Sequence, residues 1–306
     1  MLMARQAMAT STTALAWLLA LLTSASAMAE VDLASLWDFS RPAVSEQRFE
    51  QALRALRSAT GDDGLILKTQ IARSYGLRRQ FDVARERLGA IQPAIESAGS
   101  TARAHYFLEL GRSQVSATHR PAELTAQARE QARVAYAKAM DAAREAGDDN
   151  LLIDAIHMMA FVDDDPPSQL RWNQQALAVL QGSTQSAARR WESSLRNNTG
   201  YALHQAGRLD EALAMFQANV AVNERAGNPQ RLRVAHWMVA WTLRGLGCND
   251  EALAIQLRLE RDNDAAGQPD QYVYEELVHL YKARNDETKA AHYAALLSAA
   301  RAKANP

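Results

Sequence analysis

Asp154 and His157 stand three residues apart, a spacing that puts two side chains on one helix face where they can share a metal ion. The acidic triplet Asp163-Asp164-Asp165 follows closely. Pro166-Pro167 directly behind it favours a different role, a loop whose last acid opens a helix, and no metal is expected there. Asp262-Asn263-Asp264 begins like a calcium loop, but Ala266 and Val273 stand where oxygen ligands are required. Acid–base work on a sugar needs two carboxylates brought together, and Asp154 with the acids of Tyr274-Glu275-Glu276 is the pair on offer. Charges on helices are more often simply solvated. The chain has no G-x-S-x-G, no H-E-x-x-H and no Gly-rich phosphate loop, so neither catalysis nor a cofactor is expected. Cys248, the one cysteine, excludes an intrachain disulfide or a cysteine metal cluster. No lysine or arginine accompanies it in Gly247-Cys248-Asn249-Asp250 to lower its thiol pKa.

Binding chemistry is better represented. Asn197 with Tyr201, Trp237 with Trp241, and Glu275 with His279 are all i,i+4 pairs, so each pair shares a helix face. Aromatic planes suit apolar or ring contacts, while Arg and Asn suit carboxylates and peptide amides. Val239, Ala240 and Leu243 already supply a packing face for their helix, which leaves the two tryptophans for a ligand.

These residues must be positioned by helices. Alanine makes up about a fifth of the 306 residues, against 14 Gly and 8 Pro. Hydrophobic residues at 48% and charged residues at 23% describe a chain able to bury a sizeable core. A net charge of -1 gives no electrostatic case for nucleic acid or an anionic membrane. At the N-terminus the apolar run Ala14–Leu22 is too short to span a bilayer, and Ala25-Ser26-Ala27-Met28-Ala29 follows it with small residues at cleavage spacing. A signal peptide over residues 1–29, cleaved before Glu30, and a periplasmic or secreted location are expected. No later segment reaches membrane-spanning length, so the protein is not expected to be membrane-embedded.

Beyond the leader the sequence repeats. Turn signals recur at Gly61, Gly99, Gly147, Gly182, Gly227 and Gly267, an interval near 41 residues. A period of this size describes a solenoid of supersecondary units, none able to bury its apolar face alone. Each interval reads as helix, short break, helix. The clearest runs from Ala187 to Gly227 and breaks at Ala206-Gly207-Arg208, with Asp210 and Glu211 opening its second helix. A loop insertion is expected from Ala117 to Glu123. Phe49, Ala52, Leu53 and Leu56 have helical spacing, which predicts an N-terminal capping helix within residues 30–63.

Gly200, Leu203, Gly207, Asp210, Glu211, Ala212 and Phe216, and then Ala240, Leu243, Gly247, Asp250, Glu251 and Ala252, resemble the tetratricopeptide repeat family. Looser matches are Ala72, Tyr75, Phe81, Ala84 and Leu88, then Ala132, Tyr136 and Ala139, then Ala176, and last Tyr281, Asp286, Glu287, Ala290 and Tyr293. The unit here is longer than the family's usual length of about 34 residues. The resemblance implies an all-α, right-handed superhelical solenoid of about six antiparallel helix pairs over residues 64–302. It also implies that the first helix of each pair lines a concave groove where ligands bind. Carried over unit by unit, the groove positions are Arg73, Arg112, Asp154 with Met158, Asn197 with Tyr201 and His204, Trp237 with Trp241 and Arg244, and Glu275 with His279 and Lys282. The expected function is an exported scaffold holding a peptide or partner protein in that groove. The alternative is a periplasmic enzyme or recognition subunit acting on cell-wall glycan, with the tryptophans stacking on sugars.

Overall fold

The computed structural model describes residues 31–304. The leader expected over residues 1–29 lies outside them. The chain divides between Trp37 and Asp38 into two compact units. Of the first, the described part carries helix α1 (Leu33–Leu36), capped by the Asp32 carboxylate, which accepts from the backbone N–H of Ala34 and Ser35.

The second unit is built from helix pairs. Helix α2 (Pro42–Ala55) packs on α3, burying Phe49 completely. Six antiparallel pairs follow. They are α3 (Asp62–Leu77) with α4 (Phe81–Ile95), α5 (Ser100–Arg112) with α6 (Ala126–Ala146), and α7 (Asp149–Val162) with α8 (Pro166–Gly182). After the one-turn helix α9 (Ser186–Arg189) come α10 (Glu192–Gln205) with α11 (Leu209–Ala226), α12 (Pro229–Gly245) with α13 (Asn249–Ala265), and α14 (Gln271–Ala283) with α15 (Glu287–Ala304). The first helix of each pair is called its A helix and the second its B helix. Every described element is helical.

Small residues decide how closely the two helices of a pair approach. A Cβ added at Gly200 on α10 would lie 2.6 Å from the Phe216 ring on α11, and one at Gly111 on α5 would lie 2.4 Å from the Tyr136 ring on α6. Both rings are fully buried. Glycine on the A helix therefore makes the recess that an aromatic ring on the B helix fills. Ala212 and Ala252, both fully buried, provide close contact on the B helices α11 and α13.

Four of the six turns between A and B helices share one backbone device. Two residues before the B helix, φ is 73° at Gly207, 81° at Gly247, 63° at Arg79 and 57° at Asn285. Glycine adopts this left-handed conformation freely, whereas Arg79 holds it against the usual side-chain penalty. Arg79 is tied down from the far side of the insertion that the sequence locates at Ala117–Glu123. Its guanidinium donates to both Glu123 carboxylate oxygens at 2.9 Å and to the Thr118 carbonyl. Within that insertion Pro121–Glu123 forms a single 3-10 turn, and His119 stacks on Phe81 with ring centroids 3.7 Å apart. The acidic triplet is divided among structural tasks. Asp163 accepts from Trp172 Nε1 at 2.8 Å and pairs with Arg133, Asp164 pairs with Arg129, and Asp165 caps α8 through the Ser168 N–H.

The apolar interior falls into four clusters along the array. One joins α3, α4 and α5 around Leu65, Leu88 and Tyr106, and the largest, built from α5 to α8 with Leu195 of α10, holds Tyr136, Ile153 and Ile156. A third surrounds Phe216 and Leu243, and the last packs Leu259, Leu277 and Tyr293 at the C-terminal pair.

Candidate functional site

Three successive A helices bring four charged side chains into a row. Helix α3 supplies Arg73, α5 supplies Glu109 and Arg112, and α7 supplies Asp154. Arg112 donates through Nη1 to Glu109 Oε1 at 2.5 Å and through Nη2 to Asp154 Oδ1. Arg73 Nη1 lies 3.7 Å from the same Glu109 oxygen. The signs alternate along the row, so each carboxylate meets a guanidinium. Burial would raise the Asp154 pKa, but Arg112 and Arg73 outweigh it and hold the carboxyl below the usual carboxylate range. Burial opposes the Arg112 charge, yet Asp154 and Glu109 raise its pKa above the ordinary arginine value. The pKa of His157, one turn along from Asp154, is pushed below the usual histidine range by burial. An ionised Asp154 tied to Arg112 has no proton to deliver.

The row borders a cavity of about 420 Å³, a size typical of small-ligand sites, which run from about 300 to 1,000 Å³. Much of the remaining lining is apolar, with Phe39, Leu77, Met158, Phe161 and Trp191, and Ser116 joins Ala117 and Thr118 of the insertion. The His157 ring is held by Phe161 and Trp191, each with its centroid 5.4 Å away. Glu109 Oε2 and His157 Nδ1, both on lining residues, are buried without a hydrogen-bond partner. Leaving such a group unsatisfied costs about 1–3 kcal/mol, which a ligand bearing the matching group would recover.

The A helices of the C-terminal half carry an aromatic face instead. On α10, His204 stacks on Trp241 of α12 with centroids 3.4 Å apart, and Tyr201 lies 5.9 Å from the same ring. Trp237 stacks 5.8 Å from Trp241, and its other neighbour is Tyr272 of α14, edge to face at 6.3 Å. Both tryptophans are half-buried against the cluster around Leu243, whereas Tyr201 and Tyr272 are exposed. A second cavity, about 640 Å³, opens beside Trp237, Val234 and Tyr272. Trp237 Nε1, His204 Nε2 and Asn197 Oδ1 are buried on this face without partners. Arg244 completes it with a two-pronged pair to Glu276 at 2.7 and 2.8 Å.

The structure thus sorts the positions chosen from the sequence into three groups. Arg73, Arg112, Asp154 and Met158 meet at the N-terminal cavity, and Tyr201, His204, Trp237 and Trp241 form the aromatic face, with Asn197 and Arg244 on the same helices. Glu275 turns to Arg301 of α15 at 2.9 Å, while His279 and Lys282 are exposed. Tyr201 meets its own counterpart Trp241 in the next unit, but in three other contacts a residue meets one lying earlier than its counterpart there. His204 meets Trp241, Trp237 meets Tyr272, and Arg244 meets Glu276. Tyr272 and Glu276 are missed by carrying one helix position onto the next for that reason. Glu109 is missed too, although its place three residues before Arg112 is a helical pairing distance.

No family model matches the sequence. No curated protein matches it significantly. Solved structures do match its fold. The apo form of RapI superposes with a TM-score of 0.71 at 10% identity, over 90% of this chain and 74% of its own. The STAND ATPase PH0952 of Pyrococcus horikoshii, which has a tetratricopeptide repeat sensor, gives 0.65 at 10% identity over 84% of this chain, which spans 38% of that protein. A Rap protein complexed with competence and sporulation factor gives 0.52 at 12% identity, over 87% of this chain and 74% of its own. At such identities the likeness is one of fold, and that fold is the tetratricopeptide-type helical solenoid.

Proposed function

We propose that this tetratricopeptide-type solenoid is an exported scaffold that binds a peptide or a segment of a partner protein along its A helices, without catalysing a reaction. The observation that carries the reading is the aromatic face running unbroken across α10, α12 and α14, from Tyr201 through Trp241 and Trp237 to Tyr272. Apolar contact there supplies affinity. The buried, unpartnered Trp237 N–H and Asn197 carbonyl oxygen supply one donor and one acceptor, the two groups a peptide backbone matches. Among proteins of similar fold, a Rap protein has been solved in complex with competence and sporulation factor, which supports a ligand-holding use of this architecture. The glycan reading is less well supported. His204 covers one face of the Trp241 ring at 3.4 Å, so that ring has less surface to offer a sugar. Asp154, the acid that reading needs, is ionised against Arg112.

Two measurements test the proposal. N-terminal sequencing of exported material is expected to start at Glu30, and a chain still beginning at Met1 contradicts export. Affinity capture from a periplasmic extract is expected to retain a partner with the wild-type chain. Trp237→Ala and Trp241→Ala are each expected to weaken capture at least tenfold, about 1.4 kcal/mol. Because both rings are half-buried, each variant should lose less stability than the roughly 3–5 kcal/mol of a fully buried aromatic. Variants that fold and capture as wild type does would remove the aromatic face from the binding surface.

A further inference from the structure

We propose that the cavity beside Trp237 is a selectivity pocket for one residue of the bound peptide, and that this residue carries a side-chain carboxamide, as glutamine and asparagine do. The inference rests on the reading that a peptide lies along the aromatic face. Trp237 and Tyr272 belong both to that face and to the wall of the cavity, so a peptide crossing them passes the opening. Buried Met238, Leu259 and Val273 make the inner wall apolar. Among them stands Asn263 of α13, only 5% exposed, whose side-chain amide makes no hydrogen bond among the described residues.

The preceding helix pair shows which partners are missing. Asn223 and Asn263 stand at the same distance beyond the turn glycines Gly207 and Gly247. Asn223 is fully engaged. Its Oδ1 accepts from Ser193 Oγ at 3.1 Å, and its Nδ2 donates to the Asn219 backbone carbonyl at 2.8 Å and to Asn219 Oδ1 at 3.0 Å. In the next pair Arg233 and Leu259 take the places of Ser193 and Asn219. The amide at Asn263 has kept its burial, lost its partners and come to border a cavity.

A carboxamide offers one donor and one acceptor side by side. A second carboxamide meets both at once, N–H to oxygen in each direction. A carboxylate would set its oxygen against the Asn263 oxygen, and an ammonium has no acceptor to offer. Asn263 stands on a B helix, behind the A helices along which the peptide lies, so a side chain has to make the reach. Charge agrees with a neutral side chain. Arg233 and Asp270 are the two charged lining residues, and their signs cancel. Arg233 donates to Gln268 Oε1 and Asp270 accepts from the Tyr272 N–H, each at 2.9 Å. A volume of about 640 Å³ is ample for one side chain.

Selection from a random-peptide display library on the purified chain, followed by calorimetry of a selected peptide, tests this. Selected peptides are expected to carry glutamine or asparagine at one fixed position, beside aromatic or aliphatic residues. Methionine there keeps the length without the amide, and glutamate keeps the shape with a charge. Each is expected to weaken binding at least tenfold. Asn263→Leu removes the unpartnered amide at similar size, and it is expected to fold and to bind the glutamine and methionine peptides alike. Val234→Trp, at the 52% exposed rim, narrows the opening and replaces Asn263→Leu should that chain fail to fold, with the same loss of discrimination expected. Selected peptides with no carboxamide at a fixed position, or with an acid in its place, overturn the proposal and leave the aromatic face as the binding surface. An unchanged glutamine preference in a folded variant overturns it too. If no peptide is retained at all, the aromatic-face reading falls and this proposal falls with it.

Discussion

Burial and the nearby Arg73 both act against a positive charge on His105, and its pKa falls from 6.5 to about 4. Between those values the unfolded chain binds more protons at this ring than the folded one does. The stabilising effect of a neutral His105 is therefore complete above its unfolded pKa, shrinks as the pH falls, and is gone once the pH passes the folded pKa. A shift of that size corresponds to a few kcal/mol as an order of magnitude. His105→Gln keeps a polar partner for Gln70, whose amide lies 3.3 Å from His105 Nδ1, and removes the titration. Urea midpoints compared near neutral pH and near about pH 4.5 should fall less in the variant than in wild type. Equal losses in the two proteins would exclude His105 as a source of acid sensitivity. Side chains of this kind are the least legible in the sequence. Glu109 in the middle of a helix looks like any solvated acid until α3 and α7 pack against it. Arg112 was reached only by carrying groove positions across units, and Asp154 also through its spacing from His157, with nothing in either neighbourhood to show that the two touch.

The helix pair was far more legible, because its physics is local. Gly207 and Gly247, each followed by two acids and an alanine, mark a left-handed turn, a helix start and a close contact within six residues, and all three are found. The Gly200 and Phe216 match is likewise realised as a direct fit of ring to backbone. That fit gives a prediction. Gly200→Val should destabilise by at least about 1–3 kcal/mol through overpacking, and Phe216→Leu should relieve part of the loss. A double-mutant cycle with no coupling between the two positions would contradict the contact. Helix α9 and the 3-10 turn at Pro121–Glu123 were not anticipated, since a single turn is too short to show a 3.6-residue pattern. That three contacts between A helices fall earlier in the next unit than the counterpart position was also invisible, and it explains why Tyr272 and Glu276, rather than Glu275 and Lys282, adjoin the aromatic and charged residues of α12.

At the scale of the molecule, the spacing of turn signals gave a solenoid of helix pairs, the resemblance to the tetratricopeptide family made it all-α, and every described element is helical. Neither could give the division of the interior, which depends on side chains from units far apart in sequence. Four apolar clusters arranged along the array, instead of one shared centre, make the protein resemble a chain of coupled links when it is pulled by its two ends. Held in an optical trap, it should lengthen in several discrete steps. The C-terminal pair around Leu277 and the N-terminal pairs around Leu65 should give way at low force, and the block built on Tyr136, Ile153 and Ile156 last. A single all-or-none rip at one force would mean that the links are mechanically one body. If the steps are seen, a partner bridging α10, α12 and α14 would act as a splint, raising the rupture force of those links and leaving the N-terminal ones unchanged.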